Sequence, residues 1–228
     1  MAIKAVVFDL DGTLVSFNID YRTVRVEVKN LLVAESVPAS VLSTGESIFE
    51  MLKKTEIFLK NNSKPAKVME GLRRKSLAIA EKYEVEAAKS TKLLSGVLDT
   101  LKALKKMNLK IGLCTVNGEK SVDYILQRFK LTDFFDAVVP RNRVKNVKPH
   151  YEHLEATLEA LEVEADEAIV VGDGIGDMRS AKELKVIAVG LPTGVSSQKE
   201  LMGSGANYII TSLADLPTLI ESINKTIT

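Results

Sequence analysis

The stretch Ile3-Lys4-Ala5-Val6-Val7-Phe8-Asp9-Leu10-Asp11-Gly12-Thr13 decides the fold. Residues 3–8 are mostly apolar and rich in β-branched side chains. They are long enough for a buried strand and too short for a helix. The run ends abruptly at two acids one residue apart. In an open parallel sheet, ligands bind beyond the carboxyl ends of the strands, which makes Asp9 and Asp11 candidate functional groups. Residues with strand geometry at i and i+2 project to the same side, so the two carboxylates repel each other. A divalent cation would relieve that repulsion, and oxygen ligands suit Mg²⁺. Taken alone, the same letters read equally well as an acidic turn in which Gly12 supplies an unusual backbone angle.

Working outward, similar short apolar runs recur at 110–114, 137–139, 168–171, 186–189 and 207–210. Helical spacings lie between them: Leu98, Leu101 and Leu104; Val122, Ile125, Leu126 and Phe129; Leu154, Leu158 and Leu161. Alternating strands and helices predict an α/β fold, a doubly wound parallel sheet covered on both faces. Residues 17–90 break the alternation. Val24, Val28, Leu31 and Leu32 make one helical stripe; Ile48, Met51, Leu52 and Phe58 make a second. After the turn cluster Asn61-Asn62-Ser63-Lys64-Pro65, Val68, Leu72 and Ile79 suggest a third. The expected organisation is a core of 1–16 and 91–228 interrupted by an all-helical insert at 17–90, with Ser95-Gly96 as the return hinge.

The composition bounds the function. The chain has 228 residues, 46% of them apolar, enough to bury a sizeable core. A net charge of +1 with acids and bases intermixed gives no reason to expect a nucleic-acid or anionic-membrane partner. Cys114 is the only cysteine, which excludes an intrachain disulfide. The N-terminal apolar run is too short for a signal peptide, and no stretch is long and apolar enough to span a bilayer. A cytoplasmic, soluble protein is expected.

Three more polar positions join the two acids. Thr115 follows the second strand, Lys148 lies after the third in Val147-Lys148-Pro149, and Asp173 follows the fourth in Gly172-Asp173-Gly174-Ile175-Gly176-Asp177. The fold would bring all of them to one rim. A hydroxyl, an ammonium and several carboxylates are what phosphoryl transfer to a carboxylate needs. The ammonium neutralises phosphoryl charge, the hydroxyl and nearby amides hold its oxygens, and Mg²⁺ screens nucleophile from substrate.

In order, spacing and strand placement, Asp9-Leu10-Asp11-Gly12-Thr13, Thr115, Lys148 and Gly172-Asp173…Asp177 resemble the four motifs of the haloacid dehalogenase superfamily. The insert resembles the helical cap that many members carry at that point. The resemblance implies a phosphatase acting on a small phosphorylated metabolite through an aspartyl phosphate, of the phosphoglycolate phosphatase type. Asp9 would be the nucleophile, and Asp11 would protonate the leaving alkoxide and then activate water. Asp9, the Asp11 carbonyl and Asp173 would hold Mg²⁺. Asp177 would act in the outer shell or orient Lys148. Thr115, the Val116 backbone and Lys148 would bind the phosphoryl oxygens. The second acid, Asp11, points to phosphate esters, because the metal-free dehalogenases look different there.

One departure from the family pattern concerns asparagine, which relatives place directly after the Thr/Ser of the second motif. Here the run is Thr115-Val116-Asn117-Gly118, and Asn117 either contacts phosphate one place later or shapes the turn with Gly118; the turn is slightly favoured. In the insert, Arg22 and Arg25 are the preferred candidates for contacting a second anionic group of the substrate. The residues 112–121 only superficially resemble a P-loop, and Gly172–Gly176 is not a dinucleotide fingerprint. His150 and His153 suit surface or capping roles better than a metal site. Cys114 reads as a packed thiol. Two alternatives remain open: a sugar-phosphate mutase of the same fold, and a non-catalytic receiver-type phosphoacceptor domain. A receiver would carry its acid at the third strand, which here ends Val139-Pro140.

Overall fold

The computed structural model describes residues 2–227. By internal contacts the chain divides into one unit of Met1–Asn18 with Ser90–Thr228 and a second of Ile19–Lys89.

The first unit is built on a six-stranded parallel sheet: β1 (Ala5–Phe8), β2 (Lys110–Thr115), β3 (Ala137–Pro140), β4 (Ala168–Gly172), β5 (Ile187–Gly190) and β6 (Tyr208–Ile209), in the order β3-β2-β1-β4-β5-β6. The order reverses at β1, so the crevice for a ligand opens at the carboxyl ends of β1, β2 and β4. The four residues of β1 are all fully buried, as a central strand covered on both faces requires. Its register runs Ala5 to Lys110 and Phe8 to Leu113 on one side, and Ala5 to Ala168 and Phe8 to Val171 on the other. The expected doubly wound sheet is therefore the fold found.

Helices α4 (Val97–Lys106), α5 (Glu119–Arg128), α6 (Tyr151–Leu161), α7 (Ile175–Leu184) and α8 (Gln198–Ser204) lie between strands in the chain, and α9 (Leu216–Ile227) follows β6. One face of the sheet packs Val7, Cys114 and Val170 against Leu154, Leu158 and Met178 of α6 and α7. Gly112 is required here, because a Cβ would stand 2.9 Å from Leu161 Cδ1 and 3.0 Å from Thr157 Cγ2. Leu98 departs from its expected place. It is exposed while Val97, Leu101 and Leu104 form the buried stripe of α4, since three-residue spacing alone drifts off a 3.6-residue period. Gly96, the expected hinge, has φ +81° and starts α4.

The second unit contains α1 (Tyr21–Ala34), α2 (Ile48–Asn61) and α3 (Ala66–Ser90, which runs one residue beyond the unit). Its own core gathers Val24, Val28 and Leu32 with Met51, Leu52, Leu72 and Ala80. Ser47 and Glu50 form a reciprocal capping box that starts α2. Val68, expected on the apolar stripe of the third helix, is exposed.

The chain leaves and rejoins the first unit at one place. Val15 pairs antiparallel with Leu93, Leu94 N–H donates to Leu14 O at 3.0 Å, and Ser16 N–H donates to Lys92 O at 2.8 Å. No helix among the described residues is long and apolar enough to cross a membrane.

Candidate active site

Asp9, Thr115 and Asp173 come from the ends of β1, β2 and β4, Lys148 from the connection after β3, and Asp177 from the first turn of α7. Asp9 directly follows β1, and its N–H donates to Val171 O at 3.0 Å. That bond continues the sheet ladder one step and brings Asp9 beside the loop after β4, which carries Asp173 and leads to Asp177 in the first turn of α7. Asp9, Asp173 and Asp177 each offer a carboxylate oxygen within 4.8 Å of the other two. Burial, then the Asp9 and Asp177 carboxylates, pushes the Asp173 carboxyl well above the usual range. Burial also raises Asp177, against the opposing pull of Lys148. Two buried carboxylates and the partly buried Asp9 form an oxygen-only cradle for a hard divalent cation, and Mg²⁺ fits such a donor set.

Lys148 lies at the centre of the cluster. Its Nζ donates to Asp9 Oδ1 at 2.8 Å, to Asp177 Oδ1 at 2.5 Å and to the Cys114 carbonyl at 2.6 Å. Burial opposes its charge, but Asp177 and Asp9 outweigh burial and hold its pKa well above the ordinary lysine value. All three ammonium hydrogens are thereby engaged. The sequence reading put Lys148 on phosphoryl oxygens. The structure puts it on two carboxylates and a carbonyl, so a phosphoryl group would have to replace one of these partners. The contact that an orienting role for Asp177 would need is the Lys148 Nζ–Asp177 Oδ1 hydrogen bond.

Asp11 is buried as well. Its Oδ2 accepts a short hydrogen bond from Asn117 Nδ2. Asn117 precedes Gly118, which begins α5, and its buried side chain also holds Asp11, a contact the sequence reading did not anticipate. Thr115 is buried at the end of β2, and its Oγ1 accepts from Asn117 N–H at 3.2 Å. The Val116 carbonyl accepts from the buried Arg141 Nη1 at 3.1 Å, and Arg141 N–H donates to Asn117 O at 3.1 Å. Arg141, which sequence reasoning missed, therefore braces the turn at Val116 and Asn117. Arg22 and Arg25 lie near the start of α1 in the second unit, Arg22 exposed and Arg25 partly buried.

The loop after β5 was missed as well. Val195 N–H donates to Asp173 Oδ2 at 2.9 Å, Thr13 Oγ1 donates to Asp173 Oδ1 at 3.2 Å, and Thr193 Oγ1 donates to Gly12 O at 2.5 Å. A Cβ on Gly12 would reach within 2.5 Å of Asp173 Oδ2, and one on Gly194 would fall onto the same carboxylate. Gly12 also has φ +82°, the angle its turn was expected to need. The Pro192-Thr193-Gly194 sequence signals a loop, but nothing local indicates that it wraps an acid twenty residues earlier.

The two histidines differ. His150 caps α6, its Nδ1 accepting from Glu152 N–H at 3.2 Å. His153 is completely buried, which corrects the expectation of a surface or capping role. Cys114 is a packed thiol, buried, with burial pushing its pKa up to about 11.

With this geometry in view, similarity to known proteins becomes specific. The family model of haloacid dehalogenase-like hydrolases matches residues 6–191, which holds every rim residue above. The chain belongs to the haloacid dehalogenase-like hydrolases. Among similar sequences is the pyrophosphatase PpaX of Bacillus cereus (strain B4264), 26% identical over 234 residues that cover 99% of this chain and 100% of the relative. A crystal structure of a hydrolase from Pseudomonas syringae superposes with a TM-score of 0.65 at 26% identity, covering 96% of this chain and 99% of that one. A predicted phosphatase from Clostridium acetobutylicum gives a TM-score of 0.67 at 22% identity, with 97% and 100% covered, which speaks for the shared fold. In this haloacid dehalogenase-like hydrolase a buried lysine holds two of the rim's carboxylates.

Proposed function

We propose that this hydrolase is a Mg²⁺-dependent phosphatase of small phosphorylated metabolites, working through a phosphorylated Asp9. The observation that carries the reading is the buried cluster of Lys148 with Asp9, Asp173 and Asp177. Asp9 carries the nucleophilic oxygen. Lys148 holds that carboxylate at 2.8 Å and supplies positive charge where the phosphoryl group must arrive. Asp9 and Asp173, with the Asp11 carbonyl, would hold Mg²⁺, and Asp177 would support it from behind while fixing Lys148. The cation's contribution is to neutralise charge on the phosphoryl oxygens.

Asp9 attacks phosphorus, and the bond to the leaving oxygen breaks. Asp11 gives that oxygen its proton, then takes one from the water that hydrolyses the aspartyl phosphate. Asn117 holds one Asp11 oxygen, Oδ2, and so orients the carboxyl for this proton traffic. Thr115 and the Val116 backbone line the phosphoryl pocket. Residues 17–90 serve as a cap that selects the substrate, with Arg22 and Arg25 as candidate contacts to a second anionic group.

Phosphoglycolate is the substrate class favoured by the motif resemblance. Inorganic pyrophosphate is favoured by the end-to-end similarity to a pyrophosphatase. A phosphate-release screen with Mg²⁺ over metabolite esters, phosphoglycolate and pyrophosphate separates them. Net phosphate release with many turnovers per chain is expected. Isomerisation of a sugar phosphate without free phosphate would establish the mutase alternative, and a single retained phosphate per chain would indicate a receiver.

A further inference from the structure

We infer that His153 is a positioning residue for Lys148, clamping the main chain that carries the lysine through one fixed neutral tautomer. The inference rests on the phosphatase reading for its kinetic readout.

His153 sits in the first turn of α6 and is wholly buried. Its Nδ1 faces the Lys148 backbone N–H at 3.4 Å, and its Nε2 faces the Val139 carbonyl at 3.0 Å. A carbonyl can only accept and an amide can only donate. Nε2 therefore carries the proton and Nδ1 the lone pair. A protonated ring would present a second donor to the Lys148 N–H. Burial, helped by the Lys148 charge, pushes the imidazole pKa down to about 4, so the ring is neutral at physiological pH.

The clamp also closes on itself. The lysine is held at its main chain by the His153 ring and at Nζ by the Cys114 carbonyl. Those two holders touch: Cys114 Sγ donates to the His153 carbonyl at 3.6 Å, which also accepts from Thr157 Oγ1 at 2.9 Å. Lys148 follows a connection from β3 that includes no regular strand or α-helix between Pro140 and Tyr151. His153 ties the end of that connection back to β3 through Val139. An apolar side chain of equal volume would fill the space and leave the lysine's backbone unpinned.

Two variants separate positioning from filling. His153→Asn places an amide oxygen near the Nδ1 position and keeps the acceptor for Lys148. His153→Gln places its terminal amide near Nε2, keeps the donor to Val139 and removes that acceptor. With p-nitrophenyl phosphate and Mg²⁺, His153→Asn should hold kcat within a few-fold of wild type. His153→Gln should lose roughly tenfold to a hundredfold in kcat, with a smaller change in KM, whichever variant melts lower. Equal losses that follow the melting temperatures would overturn the inference. If neither variant folds, ¹⁵N spectra of the wild-type imidazole decide. An Nε2–H tautomer between about pH 6 and 8 supports the clamp; an Nδ1–H tautomer or a protonated ring overturns it. If wild-type protein releases phosphate from no ester, the phosphatase reading fails, and the spectra still test the clamp independently.

Discussion

Lys148 has three hydrogens and three protein partners, so its place in the reaction follows from what its removal would leave behind. Lys148→Met would strand Asp9 and Asp177 at 12% and 5% side-chain exposure without a counter-charge. Losing one member of a buried ion pair costs about 3 kcal/mol or more. Chemical denaturation in chelator should show that loss, and added Mg²⁺ should recover part of it. Turnover should fall by roughly a hundredfold or more. A variant of wild-type stability in chelator would show that the cluster is not strained by its acids. Asp9→Asn, by contrast, should abolish phosphate release while leaving the circular dichroism spectrum and thermal transition cooperative. His153 sets a pH signature. Its pKa falls from the ordinary 6.5 to about 4 on folding, so the unfolded chain binds the extra proton between those values. Its stabilising contribution is complete above pH 6.5 and lost as pH falls toward 4. Relative to His153→Asn, wild type should lose roughly 3 kcal/mol across that window. A flat difference would place the ring elsewhere.

Among the elements, those legible in the sequence are the ones whose signal is local. β1, β2 and β4 stood out because a strand buried on both faces must be apolar throughout, and each ends at a residue of the rim. What the sequence concealed was the set of contacts made by loops that approach from a distance. Thr193 and Val195 reach Gly12 and Asp173 across the sheet, and Arg141 reaches back to Val116 and Asn117. Nothing in spacing marks these residues, because neither loop carries a periodicity that names its target. His153 was hidden for a related reason: at three residues from His150 it shares a surface-helix spacing, while only tertiary packing reveals which ring is buried. The loop after β5 can be tested as a unit. Gly194→Ala would press a methyl group onto the Asp173 carboxylate. Calorimetry should show Mg²⁺ affinity reduced about tenfold to a hundredfold, the usual cost of disturbing a group that orients a ligand. Unchanged affinity would remove Asp173 from the cation site.

On the scale of the whole molecule, the paired segments at 14–16 and 92–94 matter most. Because the departing and returning chains are hydrogen-bonded to each other, the first unit is closed without the second. Replacing residues 20–88 by a short Gly-Ser linker should therefore leave a folded sheet domain with a cooperative thermal transition. That domain should still act on p-nitrophenyl phosphate but discriminate poorly among metabolite esters, as expected if the insert is the selecting cap. Collapse of the sheet on excision would show that the helices are part of its core. The insert was visible in the sequence as an interruption of the strand–helix alternation, but which of its arginines would face a substrate was not, because charged residues on a helix carry no pattern that distinguishes a binding face from a solvated one.

The phosphorylated aspartate is most directly tested with Asp11→Asn and p-nitrophenyl phosphate, whose leaving group needs no proton from the enzyme. Asp9 should still be phosphorylated while the hydrolysis that Asp11 assists is slowed. The account predicts a burst of about one p-nitrophenol per chain and, by peptide mass spectrometry after acid quench, a phosphoryl group on Asp9. Release of p-nitrophenol with no adduct, or with the adduct on another residue, would contradict it.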